Sequence, residues 1–293
     1  MSISIRMTER VENRISRKIM NVFFINLDRS DIRKDYMLRH FEKHGIKNVR
    51  RWSATDAASP DFERPKGYKP GHGRRWELTQ SALATFESHR LLWAHIAQGA
   101  EPYGVVFEDD VLLMPSASER ILTLVQHCDD FDVIRLDTTP QKMYLGPLQD
   151  IGNVQVRPML QTTASAAAYI LSRSACQRLL NEAELYSDHL DDFLFTPREG
   201  LRVYQLCPAI GIQHVWAPGQ ADETPPAEIT RSERLADPKV NKPTNKGPLG
   251  FRLKKEGNRL LTRRIYAKSR DRKVLSEGGF VGAMPLEGAP SDT

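Results

Sequence analysis

The sequence predicts an open α/β sheet with helices on both faces. Short apolar runs typical of buried strands alternate with helical patterns, and the first run, IMNVFFINL at 19–27, is almost continuously apolar. Strands show such runs when helices cover both faces of their sheet. With 293 residues and 40% apolar content, the chain can also form a substantial core.

The remaining elements follow in a regular order. The segment DRSDIRKDYMLRHFEKHG opens with an aspartate and closes on a glycine, as a capped helix does, and NVRRWSATD is a second strand. From Leu78 to Gln98 apolar side chains recur every three or four residues and predict a helix, with His89 beside the apolar stripe. Later elements are a strand in FDVIRLD, a strand turning into a helix in ASAAAYILSRSACQRLLNEA, and a strand in RVYQLCPAI.

Composition predicts a soluble, cytoplasmic protein. No stretch approaches the roughly 20 apolar residues that cross a bilayer, and the N-terminal residues lack the apolar block of a secretory signal. The three cysteines, Cys128, Cys176 and Cys207, are odd in number and widely spaced, which favours reduced core thiols over disulfides or a metal site.

The net positive charge lies at the C-terminal end. Residues 221–293 contain 15 Lys and Arg against 10 Asp and Glu, whereas residues 1–220 contain 27 of each kind. Six prolines between 218 and 248 precede the most basic part of this region. We therefore predict an N-terminal extension at 1–18, a main body at 19–217, and a Pro-rich linker with a basic tail at 218–293.

Within the tail, residues 249–273 have the pattern of a basic amphipathic helix. The apolar residues that fall on one side of such a helix are Leu249, Leu253, Leu260, Leu261 and Ile265. This pattern favours peripheral contact with an anionic membrane, here the inner face of the cytoplasmic membrane, and a disordered tail remains an alternative. Nucleic acid is not an expected partner, because few aromatic residues stand among the charges.

Three consecutive carboxylates, Glu108, Asp109 and Asp110, follow the predicted strand from Tyr103 to Phe107. Ligands of open α/β sheets bind outside the carboxyl ends of the strands, where this triplet should lie. In an extended chain Glu108 and Asp110 share a face, about 6.6 to 6.8 Å apart, while Asp109 points away. Carboxylates without nearby Cys or His favour Mg²⁺ or Mn²⁺, and a solvated strand end is the alternative.

Seven segments together resemble glycosyltransferase family 25, which includes lipopolysaccharide core glycosyltransferases. They are VFFINLDRSDIRKDYM, LTQSALATFESHRLLWAHI, YGVVFEDDVLL, FDVIRLD, ASAAAYILSRSACQRLL, HLDDFLF and VYQLCPAIGIQH, and they span roughly residues 19–217. The resemblance implies a GT-A-like open mixed sheet in which the acidic motif holds Mn²⁺ or Mg²⁺ against a nucleotide-sugar donor, expected to be UDP-linked. Glu108, Asp109 and Asp110 match that motif.

The resemblance also implies other site residues. Asn26, Leu27 and Arg33 match positions next to the nucleotide, as does Asp56 after the second strand, although by themselves Arg33 suggests an exposed helix residue and Asp56 a turn residue. Ser88 and His89 match the family's Ser-His pair near the donor, whereas an isolated His89 suggests a helix-flank histidine. Where the family commonly has Gly-Glu-x-Gly-Cys, this chain has residues 81–85, SALAT.

Near the C-terminal end of the body, DHLDDFLF matches a family segment containing an aspartate. Asp191 aligns best and Asp192 is its neighbour, with Asp188 a third candidate. Inversion at the anomeric carbon requires a general base for the acceptor hydroxyl, and an aspartate whose pKa is raised by nearby acids can serve. Helix-start capping is the alternative role for these aspartates.

The sequence thus predicts a metal-dependent transferase that moves galactose or a related hexose from a nucleotide sugar to a lipopolysaccharide-type glycan or glycolipid, with inversion. One alternative is a catalytically silent relative that binds glycans or partners, which the substitutions at 81–85 favour. A Mg²⁺-dependent phosphoryl-transfer enzyme is a second alternative, which the lack of a Walker-type Gly-rich loop disfavours.

Overall fold

The protein has a central eight-stranded sheet, seen in a computed structural model that describes residues 20–217, 225–230, 245–261 and 267–288. The strands are β1 (Val22–Asn26), β2 (Val49–Ser53), β3 (Tyr103–Glu108), β4 (Val111–Leu113), β5 (Val133–Arg135), β6 (Asp137–Thr138), β7 (Met143–Leu145), β8 (Gln149–Ile151), β9 (Val154–Pro158), β10 (Ala168–Ser172), β11 (Val203–Leu206), β12 (Gly211–Gln213) and β13 (Phe280–Gly282). The described helices are α1 (Asp31–Lys43), α2 (Gln80–Gln98), α3 (Ala117–Gln126), α4 (Arg173–Glu182), α5 (Leu190–Phe195), α6 (Ala227–Thr230), α7 (Leu249–Leu260) and α8 (Ala267–Ser276), with a 3₁₀ turn at His214–Trp216.

The large sheet is mixed, with the order β2-β1-β3-β10-β5-β11-β9-β8. β1 lies parallel to both β2 and β3, so the carboxyl ends of these three strands meet at one edge of the sheet. β10 inserts antiparallel between β3 and β5. A second, three-stranded sheet of β4, β12 and β6 continues directly from that edge.

Helices cover both faces of the sheet, as the sequence predicted. Successive residues of β1 point to opposite faces, so Phe23 packs in one apolar cluster and Phe24 in the other. The first cluster includes Trp93 of α2 and Leu179 of α4, and the second includes Phe41 of α1. The open α/β class with helices on both faces is therefore confirmed.

Local signals place the helix starts close to their predicted positions. Thr79 caps α2, since its side chain accepts a hydrogen bond from the backbone N–H of Ala82 at 3.2 Å. Ser172 does the same for α4, where it accepts from Ala175 at 3.0 Å. The three cysteines are buried free thiols, as predicted.

The C-terminal segment differs from the expected tail, because residues 267–288 pack on the main body. β13 pairs antiparallel with β7, which brings Phe280 opposite Leu145. Met284 and Leu286 join the first apolar cluster, and Val274 of α8 is also buried. The apolar side chains of this segment therefore complete the core instead of forming a separable unit.

Two earlier segments of the C-terminal region also contact the body. Ile229 of α6 is buried near α1, and Phe251 of α7 packs against Trp76. The N-terminal extension at 1–18 and Ile265 of the predicted amphipathic helix lie outside the described residues. None of the helices within the four described ranges is long and apolar enough to span a bilayer.

Candidate active site

A cleft of about 590 Å³ opens at the carboxyl ends of β1, β2 and β3. The predicted site residues that line it are Asn26, Leu27, Arg33, Asp56, Ser88, His89, Glu108, Asp109, Asp110 and Asp191. Parallel strands end at the same edge, which brings together the residues that follow β1, β2 and β3. Residues of α2 and α5 complete this set, so five separate segments of the chain meet there. Asp192 is the predicted site residue that does not line this cleft.

The acidic triplet turns away from the sheet as soon as β3 ends. Glu108 is the last residue of the strand, and Asp109 and Asp110 form a turn that leads into β4. The chain is thus not extended across the triplet. The side chain of Asp109 nevertheless points away from those of Glu108 and Asp110, as predicted. Glu108 and Asp110 face one point, and Asp109 faces another.

Asp109 is held by two groups from the first strand and helix. Its carboxylate accepts a hydrogen bond from Asn26 Nδ2 at 2.7 Å and lies 2.5 Å from Arg33 Nη1. Arg33 also reaches Asp110 at 3.2 Å, and its Nε donates to the carbonyl of Glu228 at 3.2 Å. This charge pairing makes burial of the acidic turn possible.

The interpretation of Arg33 as an exposed helix residue is wrong. Its side chain is only 8% exposed because it projects from α1 into the acidic turn. Arg33 thus lines the cleft, and its position next to the nucleotide stays a prediction of the family resemblance.

Gln213, at the end of β12, was not among the predicted site residues. Its Nε2 lies 3.1 Å from Glu108 Oε2 and 3.1 and 3.3 Å from the two carboxylate oxygens of Asp110. Three carboxylate oxygens from two residues therefore converge on one point. A polar residue at the end of the quoted segment VYQLCPAIGIQH was the signal available in the sequence.

This convergence fits a divalent cation that shares its ligands with a substrate. No group of three His, Cys, Asp or Glu residues arranged to hold a metal occurs within the described ranges. Mg²⁺ and related ions are commonly held by one or two carboxylates together with substrate phosphates and water. Glu108 and Asp110 supply two such carboxylates in the cleft, whereas Asp109 is engaged by Asn26 and Arg33.

His89 lies on the opposite wall, buried in α2. Its Nδ1 is 2.7 Å from the hydroxyl of Tyr169, and that hydroxyl accepts a hydrogen bond from Trp93 at 2.9 Å. If the hydroxyl donates its proton to Nδ1, the imidazole N–H is on Nε2. This Nε2 is buried without a hydrogen-bond partner in the described part of the chain, and Glu108 Oε1 is 3.5 Å away.

Ser88 and Asp56 shape the wall next to β2. Ser88 Oγ accepts from the backbone N–H of Thr55 at 2.8 Å, which fixes the loop after β2 against α2. Asp56 accepts from Arg29 Nε at 2.8 Å and from the backbone N–H of Ala58 at 2.9 Å. Asp56 is therefore a turn residue that also lines the cleft, so the two interpretations of this position are compatible.

Asp191 approaches the cleft from α5 and is held by Ser165. The Ser165 N–H donates to Asp191 Oδ2 at 3.1 Å, and Ser165 has a φ of 76°, which is uncommon for a residue other than glycine. The Ser165 hydroxyl lies 2.6 Å from Asp137 Oδ2 and 3.2 Å from Gln213 Oε1. One serine thus connects the α5 side of the cleft with the acidic turn.

Asp192, next to Asp191, has a different environment. It forms an ion pair with Arg74 at 3.1 Å. Burial and the neighbouring Asp191 carboxylate raise the pKa of Asp192, whereas Arg74 lowers it. Asp192, whose pKa is raised, does not line the cleft.

Comparison with known proteins shows the family to which the chain belongs. The family model of glycosyltransferase family 25 (LPS biosynthesis protein) matches residues 19–194, more than half of the chain. The chain belongs to glycosyltransferase family 25. The matched range includes every predicted site residue, and Gln213 lies beyond it.

Several curated relatives of this family 25 chain are named for the biosynthesis of lacto-N-neotetraose or lipooligosaccharide. Lacto-N-neotetraose biosynthesis glycosyltransferase LgtE of Neisseria meningitidis serogroup B is 31% identical over 161 residues, 50% of this chain and 57% of LgtE. LgtB of the same organism is 27% identical over 218 residues, 65% of this chain and 74% of LgtB. Lipooligosaccharide biosynthesis protein lic2B of Haemophilus influenzae is 28% identical over 148 residues, 47% of this chain and 55% of lic2B.

The chain thus spans little more than half the length of LgtE and of lic2B. Among solved structures, mannose-1-phosphate geranyltransferase from Thermus thermophilus aligns with 66% of this chain and 75% of that chain. The sequence identity is 10% and the TM-score is 0.35.

Proposed function

We propose that this protein transfers a hexose, galactose or a related sugar, from a UDP-linked donor to a lipopolysaccharide-type glycan, with metal dependence and inversion. The observation that carries the proposal is the convergence of the Glu108 and Asp110 carboxylates at the carboxyl edge of the sheet in a family 25 chain. The family description and the names of the relatives support the choice of acceptor. The GT-A-like assignment of the sheet remains part of this proposal.

Glu108 and Asp110 are the residues proposed to hold Mn²⁺ or Mg²⁺. When bound, the cation supplies positive charge that stabilises a diphosphate leaving group as the glycosidic bond breaks. All three carboxylates line the cleft, and the Arg33 guanidinium lies 2.5 Å from Asp109 and 3.2 Å from Asp110. Glu108 and Asp110 are the two that also converge on Gln213. The buried Arg33 therefore reduces the net negative charge of the acidic turn when no cation is bound.

Asn26, Leu27, Asp56, Ser88 and His89 are proposed to line the donor side. Asn26 fixes the carboxylate of Asp109 and Ser88 fixes the backbone of the loop after β2, each through a hydrogen bond. His89 lines the cleft, and its Nε2 is a buried polar atom that lacks a hydrogen-bond partner among the described residues. We propose that this nitrogen forms a hydrogen bond with the donor. The SALAT segment supports the same wall with Ser81, Ala82, Ala84 and Thr85.

Asp191 is proposed as the general base that removes the acceptor proton. It lines the cleft and is oriented by the Ser165 N–H, whereas Asp192 is engaged by Arg74. A base must lie within hydrogen-bond reach of the hydroxyl that it deprotonates. We further propose that the acceptor is a glycolipid, so that the protein works at the inner face of the cytoplasmic membrane.

The proposal is tested by screening the purified protein against nucleotide sugars and lipooligosaccharide acceptors with Mn²⁺, measuring both the free nucleotide and the glycosylated product. Transfer from one sugar nucleotide that stops with a chelator is the expected result. Donor binding without any transfer across the panel would instead favour the catalytically silent relative.

Asp110→Asn tests the cation site directly. The substitution keeps the shape of the side chain but removes its negative charge, so Mn²⁺-dependent donor binding should be lost while the fold remains intact. Titration of UDP by calorimetry, with Mn²⁺ and with a chelator, measures this. If wild-type affinity for UDP is the same in both conditions, metal dependence is ruled out.

A further inference from the structure

Helix α7 turns a stripe of leucines away from the protein. Leu249, Leu253 and Leu260 are 65%, 64% and 49% exposed, and none of the residues in this helix is buried. Their spacing of four and seven residues places them on one side of a helix with 3.6 residues per turn. An amphipathic helix normally buries such a stripe against its own core, and here the stripe faces outward.

Phe251 holds the helix on the body from the opposite side. At 100° per residue, Phe251 lies about 180° around the helix from the centre of the leucine stripe. Its ring centroid is 5.2 Å from that of Trp76, with an interplanar angle of 68°. Just before the helix, the backbone N–H of Asn245 donates to Glu77 Oε2 at 3.0 Å. These contacts fix the outward direction of the leucines.

Gly247 makes this contact possible. It has a φ of 81°, and a Cβ at this position would lie 2.6 Å from the Trp76 ring. A residue with a side chain would therefore both strain the backbone and collide with the anchor.

Basic side chains flank the stripe. Helix α7 carries Arg252, Lys254, Lys255 and Arg259, against Glu256 alone. The loop that ends at Trp76 lies on the Phe251 side of the helix and carries further exposed basic residues, namely Lys66, Lys69, Arg74 and Arg75. Helix α7 together with loop 66–75 is called the basic face below.

The basic face lies beside the α5 end of the cleft. The backbone N–H of Arg74 donates to Asp188 Oδ1 at 2.6 Å, and the Arg74 side chain pairs with Asp192 at 3.1 Å. Ser187 donates to the carbonyl of Lys69 at 2.6 Å. The same loop therefore connects the basic face to the segment that carries Asp191.

We propose that the basic face docks on an anionic phospholipid surface, with the three leucines entering the acyl boundary and the basic side chains contacting the headgroups. Leucines flanked by basic residues are the pattern that binds such surfaces. This inference deepens the proposed function and rests on it for the glycolipid acceptor, since docking here would present lipid-linked glycans to the Asp191 side. A second copy of the chain fits less well, because two faces of like charge would meet.

The experiment measures sedimentation of the full chain with phosphatidylglycerol-containing vesicles and with pure phosphatidylcholine vesicles. The test variant combines Leu249→Gln, Leu253→Gln and Leu260→Gln. A matched control changes three exposed leucines outside the basic face, Leu91→Gln, Leu148→Gln and Leu275→Gln. A third variant, Arg252→Gln with Arg259→Gln, tests the charges.

Wild type and control should bind anionic vesicles and not neutral ones, with binding weakened by high salt. The leucine and arginine variants should each bind roughly 10-fold more weakly. Equal binding by the leucine variant and wild type overturns the proposal. Light scattering that shows a dimer for wild type and a monomer for the leucine variant, without vesicle binding, would assign the stripe to self-association instead.

Donor hydrolysis and transfer to a water-soluble acceptor glycan are measured in parallel, without vesicles. These activities should be unchanged in the leucine variant. A wild-type protein that binds vesicles but transfers no sugar would contradict the proposed function and leave the membrane contact supported. The reverse result would contradict the membrane contact alone.

Discussion

Gln213 joins the two carboxylates of the acidic turn through a single amide group. Its Nε2 donates toward Glu108 and Asp110, whose side chains are only 19% and 14% exposed. Carboxylates this close repel each other unless a donor or a cation lies between them. The amide nitrogen thus occupies the position in which a bound cation would have the same effect.

Replacing Gln213 should therefore matter most when no metal is present. Gln213→Ala removes a hydrogen bond to charged groups, so the metal-free protein should lose about 2 kcal/mol of unfolding free energy. Mn²⁺ should reduce this loss, because the cation takes over the neutralisation. Urea unfolding with a chelator and with Mn²⁺ measures both values, with exposed Gln149→Ala as the control. An equal loss in the two conditions would show that the amide has no relation to a cation site.

Asp191 and Asp192 form a natural pair for separating binding from chemistry. Asp191→Asn should leave donor affinity nearly unchanged and lower transfer by roughly 10² to 10⁴ if Asp191 is the base. Asp192→Asn should have the smaller effect on transfer, because its carboxylate pairs with Arg74 and does not line the cleft. Initial rates with saturating donor decide between them, and a dead Asp192→Asn beside an active Asp191→Asn would reverse the assignment.

Helix α8 and strand β13 depend on the body for their stability. The strand is three residues long and pairs with the equally short β7, so its three-residue pairing alone cannot hold it. Additional contacts come from Met284, whose carbonyl accepts from Thr138 at 2.8 Å, and from Glu287, whose backbone N–H donates to Ala209 at 2.9 Å. The segment is therefore held mainly by burial of its apolar side chains and by hydrogen bonds to β6 and the loop before β12.

Val274 and Leu275 test this docking as neighbouring residues of one helix. Val274 is 6% exposed and Leu275 is 56% exposed. Val274→Ala should lower the free energy of unfolding by about 1 to 3 kcal/mol, since it leaves a cavity against the body, whereas Leu275→Ala should cost less than about 0.5 kcal/mol. Urea unfolding gives both numbers. Similar small costs for the two variants would mean that α8 is not packed on the body in solution.

The core of the domain also contains a charged network that ties its stability to pH. Asp137 is fully buried, and burial raises its pKa from 3.8 to about 6, although Arg135 and Ser165 act in the opposite direction. The folded protein therefore binds this proton more tightly than the unfolded chain does. The stability due to Asp137 is complete below the unfolded pKa of 3.8 and is lost as pH rises through about 6.

Asp137→Asn cannot ionise and isolates this effect. The difference in unfolding free energy between wild type and variant should change by about 2 to 2.5 kcal/mol between about pH 4 and about pH 7, with wild type relatively more stable at the acid end. Urea titrations across this range measure the difference, and Asp150→Asn at an exposed position is the control. A difference that does not vary with pH would show that Asp137 has the same pKa in both states.

Most of the elements around the cleft could be predicted from the amino-acid sequence. The strand predicted within 19–27 is β1, the strand that precedes the acidic triplet is β3, and the helix predicted from Leu78 to Gln98 is α2. These predictions succeed because apolar periodicity and capping residues act over a few neighbouring positions. The family motifs likewise placed ten predicted residues around one cleft, and their individual roles stay predictions.

The partners of the buried polar residues could not be predicted from the sequence, because they depend on how distant segments pack together. Gln213 meets Glu108 across 105 positions of the chain, and Arg33 meets Asp109 across 76. Neither pairing has a local signal, because glutamine and arginine are ordinarily surface residues. The pairing of β13 with β7 could not be predicted either. A three-residue strand has too few positions to show a periodic pattern, and its partner is a strand far away in the sequence. Local sequence patterns specify helices and strands. The burial of charged side chains and the pairing of an edge strand depend on the assembled core.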